Sequence, residues 1–162
     1  MKAITLLASI LIMCISCNCQ KKAMEQSNVV AQQDQGEKLI ADAQNDMIIE
    51  YEANTRGFYQ KVIIQNQTIS ISKDRDGNDK PVPTKISDAD WKQLVGFFNE
   101  VNLDQLPKLK APTEKRFYDG APIAGLKVTY KNKIHESSNF DHGFPPAEIK
   151  KLVDKLVSLT EK

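Results

Sequence analysis

His135 and His142 are the only imidazoles in the chain, and they stand on either side of Asp141. Imidazole nitrogens and carboxylate oxygens are the donors that hold zinc and activate a water on it. His135, Asp141 and His142 therefore define a candidate metal-assisted hydrolase, joined by Asp119 if the last strand returns beside its loop. No H-x-x-x-H spacing supports that set, and an imidazole on an antiparallel strand can simply face water. The plainer expectation is that Asp141-His142-Gly143 forms a turn leading into Pro145, with Asp141 accepting from local backbone N–H groups.

A second oxygen-rich stretch, Ser72-Lys73-Asp74-Arg75-Asp76-Gly77, has the alternating ligands and sixth-position glycine of a calcium loop. Counted from Ser72, the twelfth position, where a bidentate glutamate belongs, is Pro83. The stretch is accordingly expected to be a solvated Asp-Gly turn after a strand.

The third candidate is the run P-K-L-K-A-P-T-E-K-R-F-Y-D-G over 107–120, which is longer than a connection needs to be. Its cations outnumber its one glutamate, Glu114, and Phe117 and Tyr118 add aromatic surface. That combination suits an anionic glycan or a protein partner. A ligand- or partner-binding site is therefore expected on Lys108, Lys110, Lys115, Arg116, Tyr118 and Asp119, against the simpler alternative of a solvated loop pinned to the sheet by its aromatics. Other chemistry is unsupported. There is no G-x-S-x-G, no cysteine beyond Cys19 to pair with a histidine, and no phosphate-cradling glycine pattern among the seven glycines. No cofactor is expected.

These residues must be carried by elements that hydrophobic periodicity predicts. From Met47 the chain reads M-I-I-E-Y-E-A, then F-Y-Q-K-V-I-I-Q, then T-I-S-I-S-K, with turns at Arg56-Gly57 and Asn66-Gln67. Strict alternation of Ile69 and Ile71 with Ser70 and Ser72 marks a half-buried antiparallel strand. A loop follows to Lys85. Ser87 then caps a helix whose Trp91, Leu94, Val95 and Phe98 repeat at i, i+3, i+4 and i+7, and which should end near Val101. Ile123 to Tyr130 and Lys133 to Phe140 read as two more strands, and a last helix starts at Pro145-Pro146 and runs through Ile149, Leu152, Val153, Leu156 and Leu159. The order β-β-β-α-β-β-α predicts an α+β domain over 46–162, an antiparallel sheet of about five strands with both helices packed on one face.

The other end of the chain speaks of address. Lys2 precedes an apolar run of roughly twelve residues, too short for the about 20 that span a bilayer but suited to a secretory signal. All three cysteines, Cys14, Cys17 and Cys19, fall there, so the domain must stand without disulfides. Removing 1–16 takes Lys2 and no acid, leaving 21 basic against 21 acidic residues of the 22 and 21 in the whole chain. A neutral domain argues against nucleic acid as a partner. Residues 17–45, rich in Gln, Ala and charge, read as a flexible tether with room for a short helix at 37–43.

Ile15-Ser16-Cys17 resembles the processing site of bacterial lipoproteins, although leucine is usual where this chain has Cys14. The resemblance implies cleavage before Cys17, with a diacylglyceryl thioether on its sulfur and an acyl chain such as palmitate on its new amine. Cleavage before Cys14 would place bulky Met13 at the cut, and cleavage before Cys19 would place Asn18 there. More broadly the chain is similar to small Gram-negative lipoproteins of uncharacterised function, through the signal, the tether, the D-x-D-W helix, L-P-x-L-K-A-P-T and F-D-H-G-x-P-P. That likeness implies a cell-envelope protein anchored in the lipid bilayer. The outer membrane is the expected site of that anchor, and the acid-free residues just after Cys17 point to the side facing the periplasm. Three functions are then in view: a non-enzymatic binding or assembly module using the 108–118 loop or an exposed sheet face, the metal-assisted hydrolase, and an inhibitor whose loop enters an envelope enzyme.

Overall fold

The computed structural model describes residues 47–161; the expected signal over 1–16, Cys17, the tether over 17–45 and the short helix at 37–43 lie outside the described residues. From Met47 the described chain forms three strands in a meander, β1 (Met47–Thr55), β2 (Phe58–Gln65) and β3 (Thr68–Ser72). The first turn uses Gly57 at φ +84°, and the second places both Asn66 and Gln67 at positive φ, the mirror-image turn whose twist matches the strands it joins. A short β4 (Thr84–Lys85) returns beside β3 and leads into helix α1 (Asp88–Asn99). Strand β5 (Ile123–Tyr130) then pairs with β1, β6 (Lys133–Glu136) with β5, and helix α2 (Lys150–Ser158) closes the domain.

The fold is α+β, with an antiparallel sheet in the order β4-β3-β2-β1-β5-β6 and a short β7 (Phe140–Asp141) also paired to β5. Register decides which face is dry. Ile49 sits between Ile64 and Val128, and Tyr51 between Val62 and Leu126, all fully buried, so alternate residues of three adjacent strands build one apolar face. Trp91, Leu94, Val95 and Phe98 of α1 and Leu152, Val153 and Leu156 of α2 belong to the same core. The helices are further tied by Lys155, whose Nζ lies 2.7 Å from Asp90 and donates to Gln93 at 2.7 Å. Among the described residues no helix is long and apolar enough to cross a membrane.

Three local expectations are corrected. The strand expected over 133–140 breaks into β6 and β7 around Ser137 and Ser138. The Ser137 hydroxyl accepts from Leu126 N–H at 3.0 Å and the Ser138 hydroxyl donates to Pro107 C=O at 2.7 Å, so side chains satisfy the backbone where the chain jogs. The connection over 107–120 is not structureless, because 3₁₀ turns occupy Leu103–Lys108 and Lys115–Tyr118. Finally, α2 starts at Lys150, preceded by a 3₁₀ turn at Ala147–Ile149 that the two prolines introduce.

Leu156 is fully buried at the centre of the α2 stripe. Leu156→Ala should lower unfolding free energy by about 2–5 kcal/mol, read by urea denaturation with an unchanged slope.

Candidate functional site

The solvated face of the sheet is where charge collects. Glu50 on β1 meets Lys127 of β5 at 2.9 Å and Lys61 of β2 at 3.3 Å, an ion triad laid across three strands. Burial raises the Glu50 pKa, but the hydrogen bonds and charges of the two lysines outweigh it and hold the carboxyl below its ordinary value. Next along β1 on this face, Glu52 lies opposite Gly125. Gly125 has no side chain to fill the space, and the nearest atom to a Cβ there would be Asn139 Oδ1 at 3.5 Å. The result is a groove of about 660 Å³ floored by Gly125 and walled by Glu50, Glu52, Asn54, Arg75, Arg116 and Asn139.

Two loops supply the groove's end wall, and each is organised by a carboxylate. In the calcium-like stretch, Asp74 accepts from Asp76 N–H at 3.0 Å and Asn78 N–H at 2.8 Å, while Asp79 accepts from Ser72 Oγ at 2.8 Å and Lys73 N–H at 3.1 Å. Its oxygens therefore serve a turn, and the turn delivers Arg75 to the groove, where Nη2 donates to Asn54 Oδ1 and, at 2.6 Å, to Thr55 C=O.

The second organiser is Asp141. Asn54, Ile123 and Asp141 are paired in register across β1, β5 and β7, so all three share the solvated face. Yet Asp141 is 0% exposed, because the 113–116 segment folds over it. Its carboxylate accepts from Thr113 Oγ1, from Lys115 N–H at 2.7 Å, from Arg116 N–H at 3.0 Å and from Arg116 Nη1 at 3.1 Å. Burial pushes its pKa up, but the bonds from Thr113, Arg116 and Lys115 more than reverse this, and it falls from 3.8 to about 2. The expected turn over Asp141-His142-Gly143 forms, with Phe144 N–H donating to Asp141 C=O at 2.8 Å, but the Asp141 carboxylate bonds a segment distant in sequence and not the local N–H groups expected for it.

The candidate metal set does not assemble. His142 follows Asp141 and falls on the opposite, core side, where the Tyr51 hydroxyl lies 2.7 Å from Nδ1 and the Phe58 ring centroid 5.4 Å from the imidazole. Burial lowers the His142 pKa; burial first and the Asp154 charge second raise that of Tyr51, so a neutral imidazole and a protonated phenol share this hydrogen bond. His135 does not face water as expected: it pairs with the core residue Val128, its side chain is 10% exposed, and Nδ1 lies 3.7 Å from Asp104. His142 N–H donates to Pro122 C=O just before β5, whereas His135 sits beside Val128 near its other end, roughly 20 Å away at about 3.4 Å per residue. Among the described residues no three His, Cys, Asp or Glu side chains are placed to hold a metal ion.

The expected loop cluster is divided by the same geometry. Arg116 and Asp119 reach the groove, Asp119 at φ +57° ending the 3₁₀ turn. Lys115 turns instead to the Phe144 ring, 3.8 Å from its centroid. Lys108 and Lys110 line a separate depression of about 420 Å³ with Val101, Leu109 and Glu148. Phe117 and Tyr118 do not pin the loop to the sheet; they project at 72% and 71% exposure. Sequence reasoning passed over Arg75, Glu52 and Gly125, whose one visible signal was a glycine inside the alternating strand A-G-L-K-V-T-Y.

Because the Asp141 pKa is depressed in the fold, its stabilisation is complete above the unfolded value near 4 and drains away as pH falls toward about 2. Acid titration should show a loss of roughly 2 kcal/mol across that window, and Asp141→Asn, which turns an amide against the same donors, should remove the pH step and cost about 3 kcal/mol at pH 7. Comparison of the chain with protein-family models, with curated proteins and with solved structures finds no match in any of the three.

Proposed function

We propose that this protein is a lipid-anchored binding module of the cell envelope, held through Cys17 at the outer membrane on the periplasmic side, and that it seats its ligand in the groove on the solvated sheet face. The observation that carries the reading is that groove: polar, about 660 Å³, floored by Gly125 and fixed by two loops whose carboxylates are spent on holding them in place. Its volume falls within the usual range for small-molecule sites, and rigid walls lower the ordering cost of binding. A second reading keeps the pinned turn at Lys115–Tyr118 as a contact for an envelope protein, favoured by the exposed Phe117 and Tyr118, since aromatic anchors dominate protein interfaces.

Cys17→Ala should release the protein from the detergent phase or leave an uncleaved precursor, whereas unchanged partitioning and mobility would remove the anchor from this account. Gly125→Val fills the groove floor with a β-branched residue suited to a strand, so its melting temperature should match or exceed the parent's. Capture of the Cys17→Ala chain, which lacks the acyl anchor, on envelope preparations should be lost when Gly125→Val is added and kept with Tyr118→Ala; the reverse pattern would transfer the site to the turn.

A further inference from the structure

We infer that the groove takes an acidic oligosaccharide, with a sugar carboxylate held over Ile123 between the guanidinium groups of Arg75 and Arg116; this rests on the groove being the ligand seat. Arg75 is anchored on Asn54 and Arg116 on Asp141, and Asn54, Ile123 and Asp141 are consecutive partners across three strands. At about 4.8 Å per strand the two anchors stand roughly 10 Å apart with Ile123 midway. Each guanidinium spends one terminal nitrogen on its anchor: Nη2 of Arg75, and Nη1 of Arg116, which also donates to Thr113 C=O at 2.7 Å. The remaining terminal nitrogens, one on each guanidinium, are left to donate charge-assisted bonds to one carboxylate between them.

The charges differ in a way that matters. Arg116 already faces the Asp141 carboxylate, while both oxygens that Arg75 meets are neutral. Arg75 is therefore the cation that brings net attraction, and Arg116 the one that fixes direction. The floor beyond them argues for a hydroxylated body: Glu52, Ser137 and Asn139 offer donors and acceptors along Gly125, while Ile123, 47% exposed between the arginines, offers an apolar patch for the C–H groups of the ring that carries the carboxylate. Asp119, Glu52 and Glu136 stand in the same lining as competing negative charges, so the anion is seated at the arginine end of the groove.

The test is calorimetric titration of the full-length chain in detergent with a galacturonate trisaccharide, its neutral galactose counterpart, inorganic phosphate and triglutamate. Saturable binding of the galacturonate is expected, about tenfold or more weaker in Arg75→Ala, tighter in Asp119→Asn, abolished in Gly125→Val and weakened by salt. Equal binding of the neutral and acidic sugars, unchanged in Arg75→Ala yet blocked by Gly125→Val, would overturn the anion clamp and leave the groove standing. Tighter binding of phosphate or triglutamate, or no sugar binding while envelope capture stays sensitive to Gly125→Val, would overturn the sugar assignment. Insensitivity of both sugar binding and envelope capture to Gly125→Val would remove the groove itself.

Discussion

One buried carboxylate, that of Asp141, converts a long surface connection into part of the sheet. Taking a charge out of water costs several kcal/mol, and only a full set of short donors offsets that. Asp141 receives them from a hydroxyl, two backbone N–H groups and a guanidinium, all within the 113–116 segment. The acid is therefore tolerable only when that segment lies on it, and the segment is ordered only when the acid is there. Their mutual dependence places Arg116 at the wall of the groove and turns Phe117 and Tyr118 outward on a fixed 3₁₀ turn.

The pleat then allocates chemistry between two environments. Phe140, Asp141 and His142 follow one another, and their side chains go to core, solvated face and core in turn. The same alternation along β1 sends Ile49 and Tyr51 inward and Glu50 and Glu52 outward. Residues adjacent in sequence are thereby kept from acting together, which is why two histidines and an acid that look like a ligand set serve three separate structural tasks. Residues on the same face of neighbouring strands, however far apart in sequence, are brought side by side. Glu50, Lys61 and Lys127 are one product of that rule, and the line Asn54, Ile123, Asp141 is another.

Periodic features of the domain were readable from sequence because each rests on local spacing. The stripe of Trp91, Leu94, Val95 and Phe98, the five apolar positions of the last helix and the turns at Arg56-Gly57 and Asn66-Gln67 all stand where the pattern placed them, and all nine apolar residues except the part of Leu159 that keeps 8% exposure are sealed in the core. What escaped was everything set by distant partners. The donors to Asp141 lie 25 to 28 residues before it, and Arg75 reaches back 20 and 21 residues to its anchors. Ser137 and Ser138 break a strand because their hydroxyls find backbone groups of Leu126 and Pro107, which no alternation of apolar and polar residues announces. Of the expected loop cluster, Arg116 and Asp119 reach the groove and Lys108 and Lys110 do not, since charge type was visible and direction was not.

Near-neutrality of the whole chain hides this arrangement. Acids and bases balance in number, but balance in number says nothing about which charges are already satisfied. Glu50 is answered by two lysines and Asp141 by Arg116, while the carboxylates of Asp74 and Asp79 accept from backbone N–H groups and a serine hydroxyl. Arg75, anchored on neutral oxygens, contributes a cation to the groove that its own contacts leave uncompensated. Such a charge, held on a rigid loop above a floor kept open by Gly125, costs less to engage with an anion than a freely rotating surface lysine would, because its side-chain entropy is already lost. Which charges the groove presents, Arg56 and Arg75 beside Glu52, Asp119 and Glu136, is thus a consequence of which carboxylates the fold itself consumes.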